Sequence, residues 1–375
     1  MTGPSSSSSG ALAEPAKGQL TTDDASDIAP DGSPAGANPG RALGIGSRLA
    51  WWLLAFAVLI VIALASLAIG SRSIPIDTVF RALTEGRDGS TDVAVVLDGR
   101  LPRTAIGLLA GIGLGVAGAI IQAVTRNPLA DPGILGVTFG SAFAVALAVG
   151  IFGLTSPISY VWFAFGGALV ATVVVYLIGA TGSGSASPAQ LTLAGMALGA
   201  VLSGIISAMV LSDPAGFQAM RAWEAGSIAN RPWETLAPVW PFIIGGVIVA
   251  LLITPSLNAV ALGDDLAAAL GADVNRTRAF ALIAVTLLAG GATAIAGPIA
   301  FVGLMIPHMA RWIVGPDQRW IVGFSIVLAP SLLLLADIIG RVIMRPGELQ
   351  VGIVTAFIGA PVLIALVRRQ KATGL

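Results

Sequence analysis

The stretch "GPIAFVGLMIPHMAR", residues 297–311, places the chain's only imidazole, His308, directly after Pro307 and three residues before the guanidinium of Arg311. An imidazole and a guanidinium this close could hold a metal, relay a proton or clamp an anion. A metal site needs three or four converging ligands. With one His, no Cys and few acids in its apolar stretches, the chain cannot surround His308 with them. The same shortage argues against a hydrolase built on a His, Asp and Ser set. The preferred reading is structural: His308 is a helix-end imidazole bonded to a carbonyl, Arg311 points to the aqueous face, and Pro298 and Pro307 break helices.

The other charges near apolar runs are few. Arg100 and Arg103 stand in "RLPRT", and Asp337 and Arg341 in "LLLLADIIGR" are spaced for an intrahelical ion pair. Asp337 is the only carboxylate well inside an apolar run. Coupling transport to an ion flow would call for more acids than that.

Composition explains the scarcity. Of the 375 residues, 55% are hydrophobic and 11% charged, and mean hydropathy is +0.89. A soluble domain carries about a quarter charged residues. The absence of Cys excludes disulfides and thiolate metal sites. Net charge is zero and Lys occurs only at Lys17 and Lys371, which argues against a nucleic-acid partner. The chain is an all-α integral membrane protein.

Residues 1–48 differ in kind: rich in Ser, Gly, Pro and Asp, they cannot bury enough apolar surface to order, and read as a disordered cytoplasmic tail. The run at 49–69 exceeds a signal-peptide core of ~7–15 residues and matches a bilayer instead. Further runs follow at 104–125, 133–153, 158–180, 191–211, 237–257, 279–297, 299–314, 320–344 and 351–367, making about ten spans within a permease domain of 49–371. An even number returns both termini to one face, and Arg41, Arg48 and the terminal "RRQK" point to the cytoplasmic one. Positive charge otherwise divides almost evenly between the faces, so something must hold arginine on the outer side.

An internal repeat is visible. "LLAG" at 108–111, Ala117-Gly118, Pro128 and "ILG" at 134–136 recur as "LLAG" at 287–290, Ala296-Gly297, Pro307 and "IVG" at 313–315, offset by 179 residues throughout. Five helices separate the copies, so they insert with opposite orientation, as transporter repeats do. Pro307 then mirrors Pro128, and both are expected to break helices.

Two loops carry further information. In "VALGDDLAAALGADVNRTR", residues 260–278, Asp264 and Asp265 follow Gly263 at a helix start, Leu266 and Leu270 share a face, and Gly271 ends the turn. That helix is too short to span; it is a surface connector or a docking element for a cytoplasmic partner. "TRNPLADPGILGV", residues 125–137, is punctuated by more helix stops than a hairpin needs.

These blocks, together with "ELQVGIVTAFIGAPVLIALV", resemble the FecCD-type permeases of ATP-binding-cassette importers for iron–siderophore complexes, haem and cobalamin, in the right order from about Leu49 to Lys371. The resemblance implies a ten-helix subunit that pairs with a second permease chain in a bacterial cell membrane. It also implies two cytoplasmic ATPase subunits, which bind the ATP and Mg, and an extracytoplasmic substrate-binding protein. Consistent with that division, the chain has no G-x-x-x-x-G-K-[ST] phosphate loop. By resemblance, Gly263, Asp264, Asp265, Leu266, Leu270 and Gly271 start the region that docks on the ATPase. Arg100, Arg103 and Arg341 would face acidic residues of the binding protein, with the Asp337 pair as the competing account of Arg341. The family's gate hydroxyls are matched here by Pro188 and Ala189, so gate residues do not carry over. Few side chains in the spans could ligate a bare metal ion, which favours cargo already wrapped in a chelate: an iron–siderophore complex first, cobalamin or haem as alternatives.

Overall fold

The computed structural model describes residues 44–70, 73–181, 187–214, 217–345 and 347–372. The tail therefore lies outside the described residues except for its last five, and Ile45–Arg48 are already helical. Helices are α1 (Ile45–Ala68), α2 (Ile76–Glu85), α3 (Thr91–Thr125), α4 (Val137–Phe152), α5 (Pro157–Ala180), α6 (Pro188–Ser212) and α7 (Gln218–Glu224). They continue as α8 (Trp240–Ala261), α9 (Asp264–Ala269), α10 (Val274–Ala296), α11 (Val302–Val314), α12 (Gln318–Ile343) and α13 (Val351–Ala372). Seven of these are long and apolar enough to cross a membrane, and α4, α11 and α13 are shorter apolar helices, which gives the ten expected.

Burial ranks the helices. The apolar windows of α3, α10 and α12 are 78%, 72% and 72% buried, against 11% for α1. Helices gain little from apolar burial against lipid, so close backbone approach decides which become central. α3 achieves it with glycine: a Cβ on Gly118 would collide with the Gly303 carbonyl of α11.

The polar contacts sort into two faces. Arg126, just after α3, and Arg278, near the start of α10, both reach Asp264. Arg103, near the other end of α3, reaches Asp337 and Glu348 beside the end of α12. α3 and α10 are thus antiparallel, as inverted copies require. We call the face holding α9 the near face and the opposite one the far face.

The repeat does not extend residue for residue. Pro128 lies in the loop after α3, but Pro307 lies inside α11. The expected break at Pro307 is therefore corrected, and the reason is chemical. Proline cannot donate to the Gly303 carbonyl four residues back, and Gln122 of α3 donates there instead, at 3.4 Å, and to Leu304 at 3.0 Å. With its orphaned acceptor served from a neighbour, the helix runs on. The break falls at residues 297–301, where Gly297 (φ 74) and Phe301 (φ 69) turn the chain around Pro298. His308 also departs from expectation: it is buried inside α11, edge-on to Trp312, and its Nδ1 has no hydrogen-bond partner among the described residues. Pro188 and Ala189 open α6 under a capping box in which Ser187 and Gln190 bond each other's backbone. That first-turn position suits proline.

Candidate functional site

On the near face, α9 projects between two glycines that adopt φ 118 (Gly263) and φ 81 (Gly271), values side-chain-bearing residues rarely take. Asp264 holds it in place, accepting from Arg278 at 2.9 Å and pairing with Arg126 at 3.4 Å. One carboxylate thereby ties α9 to α10 and to the loop after α3. Ala267 points inward and is fully buried. Leu266 and Leu270 are 49% and 63% exposed, one turn apart, and Leu262, just before the Gly263 turn, is exposed as well. Asp265 is also exposed. An exposed leucine stands to gain about 1.5–3 kcal/mol on full burial, so the stripe is suited to a partner surface.

Behind α9 lies a buried amide. Gln122 accepts from Arg311 at 3.4–3.5 Å while donating to α11 carbonyls, so α3 and α11 are stitched together. In the loop beyond α3, burial pushes the Asp131 carboxyl above its ordinary value, opposed by the Gly133 N–H it accepts.

The far face holds the arginines, and they are not the outward charges expected from the sequence. Arg100 is 6% exposed and donates to the carbonyls of Leu67 and Ala68, at 2.7 and 2.6 Å, capping the end of α1. Arg341 is 1% exposed; it pairs with Asp337 and donates to the Ser66 carbonyl at 2.7 Å and the Ser66 hydroxyl at 3.0 Å. Arg103 pairs with Asp337 and with Glu348, both at 2.6 Å, and keeps 11% of its side chain exposed. The physical reason is that a guanidinium at the edge of a bilayer takes any acceptor within reach, and the frayed carbonyls of α1 and the Asp337 carboxylate are within reach. Sequence reading anticipated the Asp337–Arg341 pair but missed Glu348, Arg231 and Gln122. Gln122, a lone amide in an apolar run, was the one with a signal.

Among the described residues, no group of three or more His, Cys, Asp or Glu could hold a metal. The near face presents α9 with its exposed leucines, and the far face holds two cavities of about 590 and 410 Å³. A solved metal-chelate type ABC transporter in an inward-facing conformation superposes with a TM-score of 0.76 at 28% identity, covering 86% of this chain and 99% of that one. Fold and faces together define the permease subunit of an ABC transporter.

The sequence narrows the class: the chain belongs to the FecCD transport family, whose profile matches residues 57–369. Relatives include the ferric enterobactin transport system permease protein FepD of Escherichia coli (strain K12), 52% identical over 84% of this chain and 95% of that protein. The probable siderophore transport system permease protein YfiZ of Bacillus subtilis (strain 168) is 35% identical over 83% and 93%. The hemin transport system permease protein HmuU of Yersinia pestis is 32% identical over 84% and 94%.

Proposed function

We propose that this chain carries a ferric siderophore inward as one of two permease chains of an importer, its near face cytoplasmic. Delivery is by an extracytoplasmic binding protein at the far face, and ATP is hydrolysed by separate subunits docked on α9. The observation that supports this best is α9 itself: a short helix fixed by Asp264 that shows leucines to the aqueous side in a family of ABC permeases. Iron–siderophore cargo is favoured over haem by the 52% identity to the ferric enterobactin permease against 32% to the hemin one. Of the three far-face arginines, Arg103 is the one we assign to the binding protein, because only its carboxylate partner Glu348 is itself at the surface, with 30% of its side chain exposed.

The test is reconstitution with ATPase and binding protein in vesicles and uptake of ferric enterobactin. Leu266→Asp with Leu270→Asp should leave the chain in the membrane and abolish both uptake and ATPase co-purification. Co-purification at the wild-type level would remove α9 from the ATPase interface.

A further inference from the structure

Among the described residues, one buried arginine of the far face is paired with no carboxylate. Arg231, in the loop between α7 and α8, is 6% exposed, and its one hydrogen bond among the described residues runs from Nη1 to the Tyr160 hydroxyl at 3.2 Å. A guanidinium withdrawn from water with only a neutral partner is costly. A second orphan lies beside it: Trp223 is 1% exposed, and its indole Nε1 has no acceptor among the described residues. Buried donors are otherwise nearly always satisfied.

Both side chains line the same cavity of about 590 Å³, as does Tyr160 in the first turn of α5. Thr155, Asn230 and Glu348 form part of its rim and are exposed, so it opens on the far face. Tyr160, by accepting from Arg231, keeps its own proton free to donate. Two donors, the guanidinium of Arg231 and the hydroxyl of Tyr160, therefore meet at this cavity, with the Trp223 ring as part of its lining. The one lining carboxylate, Glu348, is already drawn onto Arg103 at 2.6 Å.

We propose that this cavity is an oxyanion site that takes a carboxylate, with Arg231 as its charged anchor and the Tyr160 and Trp223 rings as its walls. The carboxylate has two possible sources, a small free polycarboxylate or an acidic side chain of a protein seated on the far face. The assignment rests on the cavity alone and does not depend on the cargo or the ATPase.

The experiment is calorimetry on the full chain in lipid nanodiscs, with citrate as the free-polycarboxylate probe and N-acetyl-glutamate amide as the side-chain probe. Saturable binding is expected for at least one, and a tenfold preference identifies the source. Arg231→Gln should weaken binding by tenfold or more, and Arg231→Lys, which keeps the charge but not the fork, by less. Trp223→Phe should weaken it several-fold, and Glu348→Gln should strengthen it. Trp223→Phe and Arg231→Lys keep the test decisive if Arg231→Gln elutes as aggregate. Binding of neither probe, or equal binding by wild type, Arg231→Lys and Trp223→Phe, overturns the proposal.

Discussion

Asp337 shows how much one carboxylate can be asked to balance. It is 1% exposed and faces both Arg103 and Arg341. Breaking a buried pair by removing one member leaves an uncompensated charge and costs about 3–5 kcal/mol. Asp337→Asn should therefore lower both monodisperse yield and unfolding temperature in detergent, and Asp337→Leu combined with Arg341→Met should recover part of the loss. An Asp337→Asn protein that melts with the wild type would show the cluster to be dispensable. The three arginines should also separate by role. Arg103→Glu should cost some folded yield, since Arg103 also pairs with Asp337, and in the protein that folds should slow association of the binding protein at low ionic strength, with the difference fading as salt rises. Arg100→Glu and Arg341→Glu should reduce folded yield, since their partners are carbonyls and a carboxylate inside the chain. An unchanged on-rate for Arg103→Glu would take Arg103 out of the docking surface.

Among the elements, α9 is the one to which the proposed function gives a mechanical role. Asp264 is 42% exposed, so its two ion pairs add little to overall stability. They fix how α9 is held against α10 and the loop after α3, and so, on the proposed function, how it meets the ATPase. Asp264→Ala should leave the unfolding temperature within a degree or two and still cut ATP-driven uptake several-fold, read against the ATP hydrolysed per chelate moved; unchanged uptake would make the anchor irrelevant to coupling. Elements of this kind were legible in the sequence because their signals are local: Gly263, the acidic first turn and Gly271 bracket α9, and bilayer-length apolar runs mark the spans. Pro307 was misread because its rescue comes from Gln122, 185 residues away in the chain. Arg100 was misread as an outward charge for the same reason, its acceptors being the carbonyls of Leu67 and Ala68 at the end of α1. Sequence periodicity reports what a helix does alone; it is silent about an acceptor supplied by another.

At the scale of the whole molecule, the proposed function places energy supply and conduction on different chains. Purified alone, this chain should hydrolyse no ATP, as measured by phosphate release, and activity above background would contradict a dependence on partner ATPases. Its architecture also has a temporal side. The carbonyls at the end of α1 are capped by Arg100, only 33 residues beyond Leu67, and by Arg341, 275 residues beyond Ser66. A ribosome therefore delivers α1 to the membrane long before its second clamp exists. Until α12 emerges, α1 has Arg100 but not Arg341, and α12 arrives with Asp337 and Arg341 needing partners at once. Membrane integration of the early helices must leave that seat open, which makes α12 the closing piece of biogenesis. Chains truncated before Arg341 are expected to remain unsealed at this corner and to be prime substrates for membrane quality-control proteases.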